Sequence, residues 1–75
     1  MEMKVIVYHK RPDGTYINDS EVRYEGEEAV EIINSLEQSL KQKLLNDGIV
    51  EYMLPEEDWI DDIETVEVIK IEKED

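Results

Sequence analysis

The stretch MKVIVYHKRPDGTY, residues 3–16, decides the fold because it predicts a β-strand followed at once by a tight turn. Its first seven residues are mostly β-branched or aromatic, which is typical of a strand. Pro12 presets the backbone of a turn and Gly14 supplies a positive φ, so the chain is expected to reverse direction here. Residues 15–24 predict the returning strand, with a bulge or loop at residues 18–20. These segments together predict a β-hairpin.

A single amphipathic helix is predicted over residues 26–46. Apolar side chains recur three and four residues apart, for example at Ile33, Leu40 and Leu44. Acidic residues occupy the first turns and lysines the last, which suits the helix dipole. Gly48 follows the pattern and is typical of a helix C-terminus.

Two further strands are predicted, over residues 49–54 and 64–72, with a loop or a single helical turn between them. In the last strand, Val66 and Val68 share one face while Ile69 and Ile71 share the other. This change of phase predicts either a bulge or a strand covered on both sides. The order is therefore β-β-α-β-β, an α+β fold with a small antiparallel sheet and one helix packed on a face. Residues 1–72 are expected to form this single domain, and residues 73–75 a frayed acidic tail.

The composition excludes several classes of site. The 75 residues include 21 Asp and Glu but only 8 Lys and Arg, for a net charge of −13. Cysteine is absent, which excludes disulfide bonds and thiolate metal sites. The negative charge disfavours direct binding to nucleic acid or to anionic membranes. No apolar run is long enough to cross a membrane and no signal peptide is visible, so we expect a cytoplasmic protein.

The negative charge is concentrated in the second half of the chain. No Lys or Arg occurs between Leu44 and Ile69, although this window holds nine carboxylates. Asp47 belongs to the helix end and Glu51 is an ordinary strand residue, so the unexplained excess begins at residue 56. We predict that this excess binds a cationic partner, through Glu56, Glu57, Asp58, Asp61, Asp62, Glu64 and Glu67. A charge run more often forms only a solvated face, and that alternative stays open.

Trp59 lies within this acidic segment and allows two interpretations. It either anchors the segment to the core or stands exposed among the charges. An exposed tryptophan in such surroundings is typical of an interface hot spot. Trp59 is therefore included among the candidate partner-binding residues.

Catalytic and metal sites are not expected. The chain has one histidine, His9, which is predicted to be solvated at the end of the first strand. No nucleophile or phosphate-binding motif is present, so the protein is not expected to be an enzyme or to need a cofactor. The segment 58–64 is rich in oxygen ligands but lacks the glycine and the spacing of an EF-hand, so no dedicated metal site is predicted.

The spacing of the acidic side chains favours mimicry of DNA. One DNA strand carries a negative charge about every 3.4 Å. Carboxylates on alternate residues of a strand lie roughly 6.8 Å apart, and neighbours in a loop or helix fill the intervals. Such a face presents a DNA-like field to a protein that reads only phosphates.

The short, Cys-free, acidic α+β chain with EEDWIDD at residues 56–62 resembles the small host-takeover proteins of lytic bacteriophages. It is similar in kind to phage DNA mimics, such as inhibitors of the nucleoid protein HU. The resemblance implies a dimeric acidic protein that occupies the DNA-binding surface of a basic protein in the host cytoplasm. Lys10, Arg11 and the lysines from Lys70 to Lys73 depart from an all-acidic mimic.

We therefore expect a DNA mimic that competitively blocks DNA binding by a basic host protein. The alternative is an acidic interaction module that binds a basic partner at a surface unrelated to DNA. The small size of the chain and its apolar fourth strand also predict a homodimer, because so short a chain buries little surface by itself.

Overall fold

The computed structural model describes residues 3–72, and the predicted tail at residues 73–75 lies outside the described residues. The strands are β1 (Lys4–Lys10), β2 (Val22–Glu25), β3 (Ile49–Met53) and β4 (Val66–Glu72). The helices are α1 (Glu27–Asn34) and α2 (Gln38–Asp47), and a 3₁₀ turn spans Glu56–Asp58. The four strands form one antiparallel sheet in the order β2-β1-β4-β3. The predicted α+β class with a small antiparallel sheet is confirmed.

The last strand of the chain, β4, lies in the middle of this sheet. It pairs with β1 along its whole length, from Lys4 opposite Glu72 to Lys10 opposite Val66, and with β3 on its other side. Successive side chains of a strand point to opposite faces, and the adjacent Val68 and Ile69 are only 0% and 2% exposed. The change of phase in the sequence therefore reflects a strand buried on both faces, with continuous pairing on both sides.

The hydrophobic core lies between one face of the sheet and the two helices. Each strand of the central pair and the edge strand β3 contributes to it, and each helix adds one or two residues. The buried core residues are Val5, Val7, Ala29, Ile33, Leu44, Val50 and Ile69. Side chains of β1 alternate between the two faces of the sheet, so Val5 and Val7 point to the helices and join the core, while Ile6 points away.

The prediction of one helix over residues 26–46 is wrong, because the chain breaks between α1 and α2. Ser35 causes the break locally: its hydroxyl donates to the carbonyl of Ile32 at 2.7 Å, and its amide is shared between Glu31 and Ile32. Such side-chain bonds compete with the helical ladder. Glu37 then adopts an extended conformation, with φ −57° and ψ 153°, before α2 begins.

The break also has a packing cause. A continuous helix of about twenty residues is roughly 30 Å long, whereas a seven-residue strand such as β1 spans about 23 Å. The change of direction brings Leu36 and Leu40 back against the core. The leucine spacing continues across the break, so periodicity alone predicted a single helix. The element order is consequently β-β-α-α-β-β, and the predicted β-β-α-β-β is corrected.

The returning strand of the hairpin is shorter than predicted. The tight turn forms as expected, with the amide of Gly14 donating to the Arg11 carbonyl at 2.9 Å and Gly14 at φ +94°. Tyr16 makes an isolated bridge to Lys10, and residues 17–21 then leave the ladder before β2 begins. Ser20 fills the gap, since its hydroxyl accepts from the His9 amide at 3.0 Å. The interruption predicted at residues 18–20 is confirmed.

The stability of the domain is expected to depend on Leu44, which is fully buried between α2 and the sheet. Replacing a buried leucine with alanine costs about 2–5 kcal/mol, which is a large part of the stability of a small domain. Leu44→Ala should therefore lower the free energy of unfolding by that amount in urea titrations. Its neighbour Leu45 is 49% exposed and supplies the matched control. Equal losses in Leu44→Ala and Leu45→Ala would contradict the described core.

Candidate functional site

The loop between β3 and β4, residues 55–65, carries most of the acidic segment and is named here the acidic loop. Six of its side chains are carboxylates, and all six are exposed: Glu56, Glu57, Asp58, Asp61, Asp62 and Glu64. Within residues 3–72, no Lys, Arg or His nitrogen lies within 4.0 Å of these carboxylates. The structure thus brings these six predicted residues together on one uncompensated loop.

The first half of the acidic loop is a single 3₁₀ turn. Pro55 begins it, the Asp58 amide donates to the Pro55 carbonyl at 2.8 Å, and the Trp59 amide donates to Glu56 at 3.2 Å. Proline suits this place because its fixed φ matches the start of a helical turn and its missing amide is not needed there. The helical turn, one of two predicted forms of this segment, is therefore present.

Trp59 closes this turn against the end of β3. Its indole nitrogen donates to the carbonyl of Leu54 at 2.8 Å, and the residue is half-buried. It also lines a shallow surface depression together with Pro55, Glu56, Glu57 and Asp62. Trp59 thus anchors the loop and still lies beside three of the exposed carboxylates.

The second half of the acidic loop is a tight turn at Asp61 and Asp62. Both residues have positive φ angles, 49° and 62°, and the Ile63 amide donates to the Ile60 carbonyl at 2.9 Å. Two consecutive left-handed residues define a type I′ turn. Asn-Gly is the favoured pair there, and aspartate tolerates the conformation less readily than glycine. Turn geometry therefore explains small polar residues at this tip, but it does not require two negative charges.

Thr65 holds the two halves of the acidic loop in place and was not predicted from the sequence. It is fully buried, and its hydroxyl accepts from the Ile60 amide at 3.0 Å while donating to the Ile63 carbonyl at 2.7 Å. Its own carbonyl accepts from the Leu54 amide at 3.0 Å, which closes the base of the loop. A lone threonine before a strand carries no signal of this role in the sequence.

Glu67, the seventh carboxylate of the predicted site, lies apart from the acidic loop. It is on β4 and points to the helix side of the sheet, opposite His9 and Tyr52. Its carboxylate accepts from the Tyr52 hydroxyl, and its Oε1 is 3.4 Å from His9 Nε2. These contacts give Glu67 a structural role between neighbouring strands.

His9 is also placed differently from the prediction of a solvated side chain. It continues the inward alternation of Val5 and Val7 on β1, and its side chain is only 19% exposed. Its Nδ1 is buried without a hydrogen-bond partner among the described residues. The strand continues to Lys10, one residue past its predicted end, so His9 lies within the sheet rather than at its last position.

The cationic side chains nearest to the acidic loop have partners elsewhere. Lys10, beside the first residue of β4, lies 2.6 Å from the Glu51 carboxylate, and this hydrogen bond raises the pKa of Lys10. Arg11 donates to the Tyr16 carbonyl at 3.3 Å within the hairpin turn. The excess negative charge of the acidic loop therefore remains exposed to solvent.

Among residues 3–72, no group of three or more His, Asp or Glu side chains is arranged to hold a metal ion. Neither of the helices described there is long and apolar enough to span a membrane. No protein-family model matches the chain, and no curated protein or solved structure is significantly similar to it. The resemblance to phage host-takeover proteins stays a prediction, and the chemistry of the residues alone bears on function.

Loss of the Thr65 hydroxyl should destabilise the acidic loop. In Thr65→Val, the buried Ile60 amide loses its acceptor, which costs about 1–3 kcal/mol of unfolding free energy. Hydrogen exchange of the Ile60 and Ile63 amides should accelerate in the same variant. Thr15→Val removes an exposed hydroxyl that donates to Asp13 at 2.6 Å, so it is the control for loss of a solvent-exposed hydrogen bond and should cost less than Thr65→Val. Unchanged exchange at Ile60 in Thr65→Val would show that Thr65 does not hold the loop.

The contact between Tyr52 and Glu67 should make stability depend on alkaline pH. Burial, and then the hydrogen bond to the Glu67 carboxylate, raise the pKa of Tyr52 above its ordinary value of 10.0. The folded protein therefore keeps a phenol proton that the unfolded chain releases, so stability is full below about pH 10 and falls as the pH rises further. Urea titrations between about pH 8 and pH 11 should show this decline in the wild type and a weaker one in Tyr52→Phe. Tyr16→Phe, at a 44% exposed tyrosine, should keep the wild-type decline, and equal slopes in all three proteins would contradict the account.

Proposed function

We propose that the protein binds a basic DNA-binding protein through the acidic loop and competes with DNA for that partner. The observation that carries the proposal is the set of six exposed carboxylates within nine residues of an anchored loop, none of which has a cationic partner within residues 3–72. Like charges crowded on one loop repel each other, so their natural use is attraction to a cationic surface.

The fixed conformation of the acidic loop supports specific recognition of a partner rather than nonspecific electrostatic attraction. The Pro55 carbonyl and the Thr65 hydroxyl accept hydrogen bonds from loop amides, and the Trp59 indole donates one to the Leu54 carbonyl, so the backbone is fixed on both sides of the carboxylates. A loop that is already ordered loses less conformational entropy on binding than a flexible acidic tail does. The six charges can therefore be presented in one arrangement, as the phosphates of a duplex are.

The density of the charges supports the choice of a DNA-binding partner. Six carboxylates fall within nine residues that form two tight turns, and phosphate charges along one DNA strand are about 3.4 Å apart. Proteins that bind DNA without sequence specificity contact mainly the phosphates. Such a binding cleft requires dense negative charge but no base edges, and the acidic loop offers that charge.

The net charge of −13 favours fast association with a basic partner, which helps the protein compete with DNA. A strongly acidic protein and a basic partner attract each other over several ångströms, which raises the association rate and makes it salt-dependent. Binding should weaken as salt rises, as it does for DNA itself. Glu67 is left out of the binding surface because His9 and Tyr52 already hold its carboxylate.

Charge-neutral substitution of the acidic loop tests this proposal. In Asp58→Asn/Asp61→Asn/Asp62→Asn the turn is preserved, because asparagine adopts positive φ at least as readily as aspartate. Three contacts worth about 0.5–1 kcal/mol each correspond to an affinity loss of about 10-fold to 100-fold. The readout is displacement of a labelled DNA duplex from purified nucleoid protein HU, followed by fluorescence anisotropy.

A matched control removes the same number of charges elsewhere. Glu28, Glu31 and Asp47 are exposed acids on the helices, and their amide triple variant has the same net charge as the loop variant. It should displace DNA with an affinity within about twofold of the wild type. Equal losses in the two triple variants would mean that only total charge matters. Binding to HU with no displacement of DNA would favour a module that recognises a basic partner at another surface.

A further inference from the structure

The sheet face opposite the helices is left uncovered within the described chain, and is named here the open face. It consists of the side chains that alternate with the core residues along the strands. Its apolar members are Ile6, Tyr8, Ile49, Met53, Val66 and Val68. At its margins Ile49 and Met53 are 38% and 50% exposed, and Tyr16, which lies against Tyr8 with ring centroids 6.0 Å apart, is 44% exposed. Part of the open face thus presents apolar surface to solvent, while Val68 is fully buried by its neighbours.

The charges on the open face are balanced, in contrast to the rest of the molecule. The alternation of the strands places four cations on this face, together with four carboxylates. The cations are Lys4, Lys10, Arg23 and Lys70, and the carboxylates are Glu21, Glu25, Glu51 and Glu72. Half of the 8 Lys and Arg residues of the chain therefore lie on a single face of a protein with net charge −13.

Several of these charges already neutralise each other within the face. Lys10 lies 2.6 Å from the Glu51 carboxylate, and Arg23 lies 3.7 Å from Glu72. A basic partner or an acidic partner would therefore meet little net field here. What the open face offers is apolar area with paired charges around it, which is the composition of the core and rim of a protein interface.

We propose that a second copy of the chain covers the open face, so that two sheets pack against each other in a homodimer. The exposed carboxylates of the acidic loop repel those of a second copy, whereas the charges of the open face balance and this repulsion is absent there. A two-fold interface brings each face against its own equivalent. Lys70 is exposed on this face, with no carboxylate within 4.0 Å among residues 3–72, so it is a cation that a carboxylate of the second copy can pair with.

The size of the open face sets the expected strength of the dimer. The strands have seven, four, five and seven residues, so at about 3.3 Å per residue and about 4.8 Å between strands each sheet covers about 360 Å² in plan. Two such faces, with the relief of their side chains, bury on the order of 1,000 Å² at most, which is below the range of standard stable interfaces. We therefore expect a weak, reversible dimer. The acidic loop lies at the end of the sheet and stays free, so the dimer carries two of them.

Sedimentation equilibrium from about 1 µM to about 500 µM tests the proposal and should show a reversible monomer–dimer equilibrium. Met53→Glu places a charge on the open face, whereas Leu45→Glu places one at a 49% exposed position on α2. Met53→Glu should raise the dimer dissociation constant at least about tenfold, and Leu45→Glu should leave it within about twofold. Both sites are exposed, so both variants should keep the wild-type circular dichroism. Lys70→Glu, on the same face, is a second variant that should also dissociate the dimer.

The salt dependence of the dimer distinguishes it from binding of a basic partner. Screening reduces the repulsion between two acidic copies, so moderate salt should strengthen the dimer while it weakens binding to HU. A wild-type protein that remains monomeric at about 500 µM would overturn the proposal. Equal dissociation of the dimer by Met53→Glu and Leu45→Glu would overturn it as well, because the helix face would then be the contact. The dimer does not depend on the proposed function, so failure of DNA displacement leaves this test unaffected.

Discussion

The burial of β4 on both faces is the constraint on which the rest of the structure depends. The last strand of the chain pairs with β1 and β3 at once, so its central residues, Val68 and Ile69, are removed from water on opposite sides. Ile69 joins the core beneath the helices, while Val68 supports the open face. The residue just before the strand, Thr65, is buried by the same arrangement and holds the acidic loop. Core, open face and acidic loop therefore all depend on one strand.

Much of the fold follows from local sequence patterns. The turn at Pro12 and Gly14, the end of α2 at Gly48 and the alternation of β1 are encoded by single residues with strong conformational preferences. The break between the two helices was not predictable from periodicity, because the apolar spacing continues across Ser35. The hydrogen bonds of Ser35 and the short span of the sheet break the helix, and neither changes that spacing. The order of the strands in the sheet could not be predicted either, since the residue pattern of a strand does not identify the strands beside it.

The charges of the candidate site could be predicted from the sequence, but the hydrogen bonds that hold its loop in place could not. Six of the seven predicted carboxylates lie together on the acidic loop, because they are contiguous in sequence. Glu67 is separated from them by the alternation of β4, which points it toward His9 and Tyr52 on the helix side. The roles of Thr65 and Trp59 depend on hydrogen bonds to backbone atoms, which leave no trace in the sequence. The surface therefore has two distinct regions. One is a loop with dense negative charge, and the other is a sheet face on which apolar side chains lie among balanced charges.

The central claim is that the acidic loop is the surface that meets a basic DNA-binding protein. The most direct measurement is a heteronuclear NMR titration of the labelled protein with unlabelled HU. The account predicts that amide shifts change at residues 56–64 and at Thr65, whereas Ile6, Tyr8 and Lys70 on the open face remain unperturbed. Perturbations centred on the open face or on α1, with the acidic loop unchanged, would contradict it.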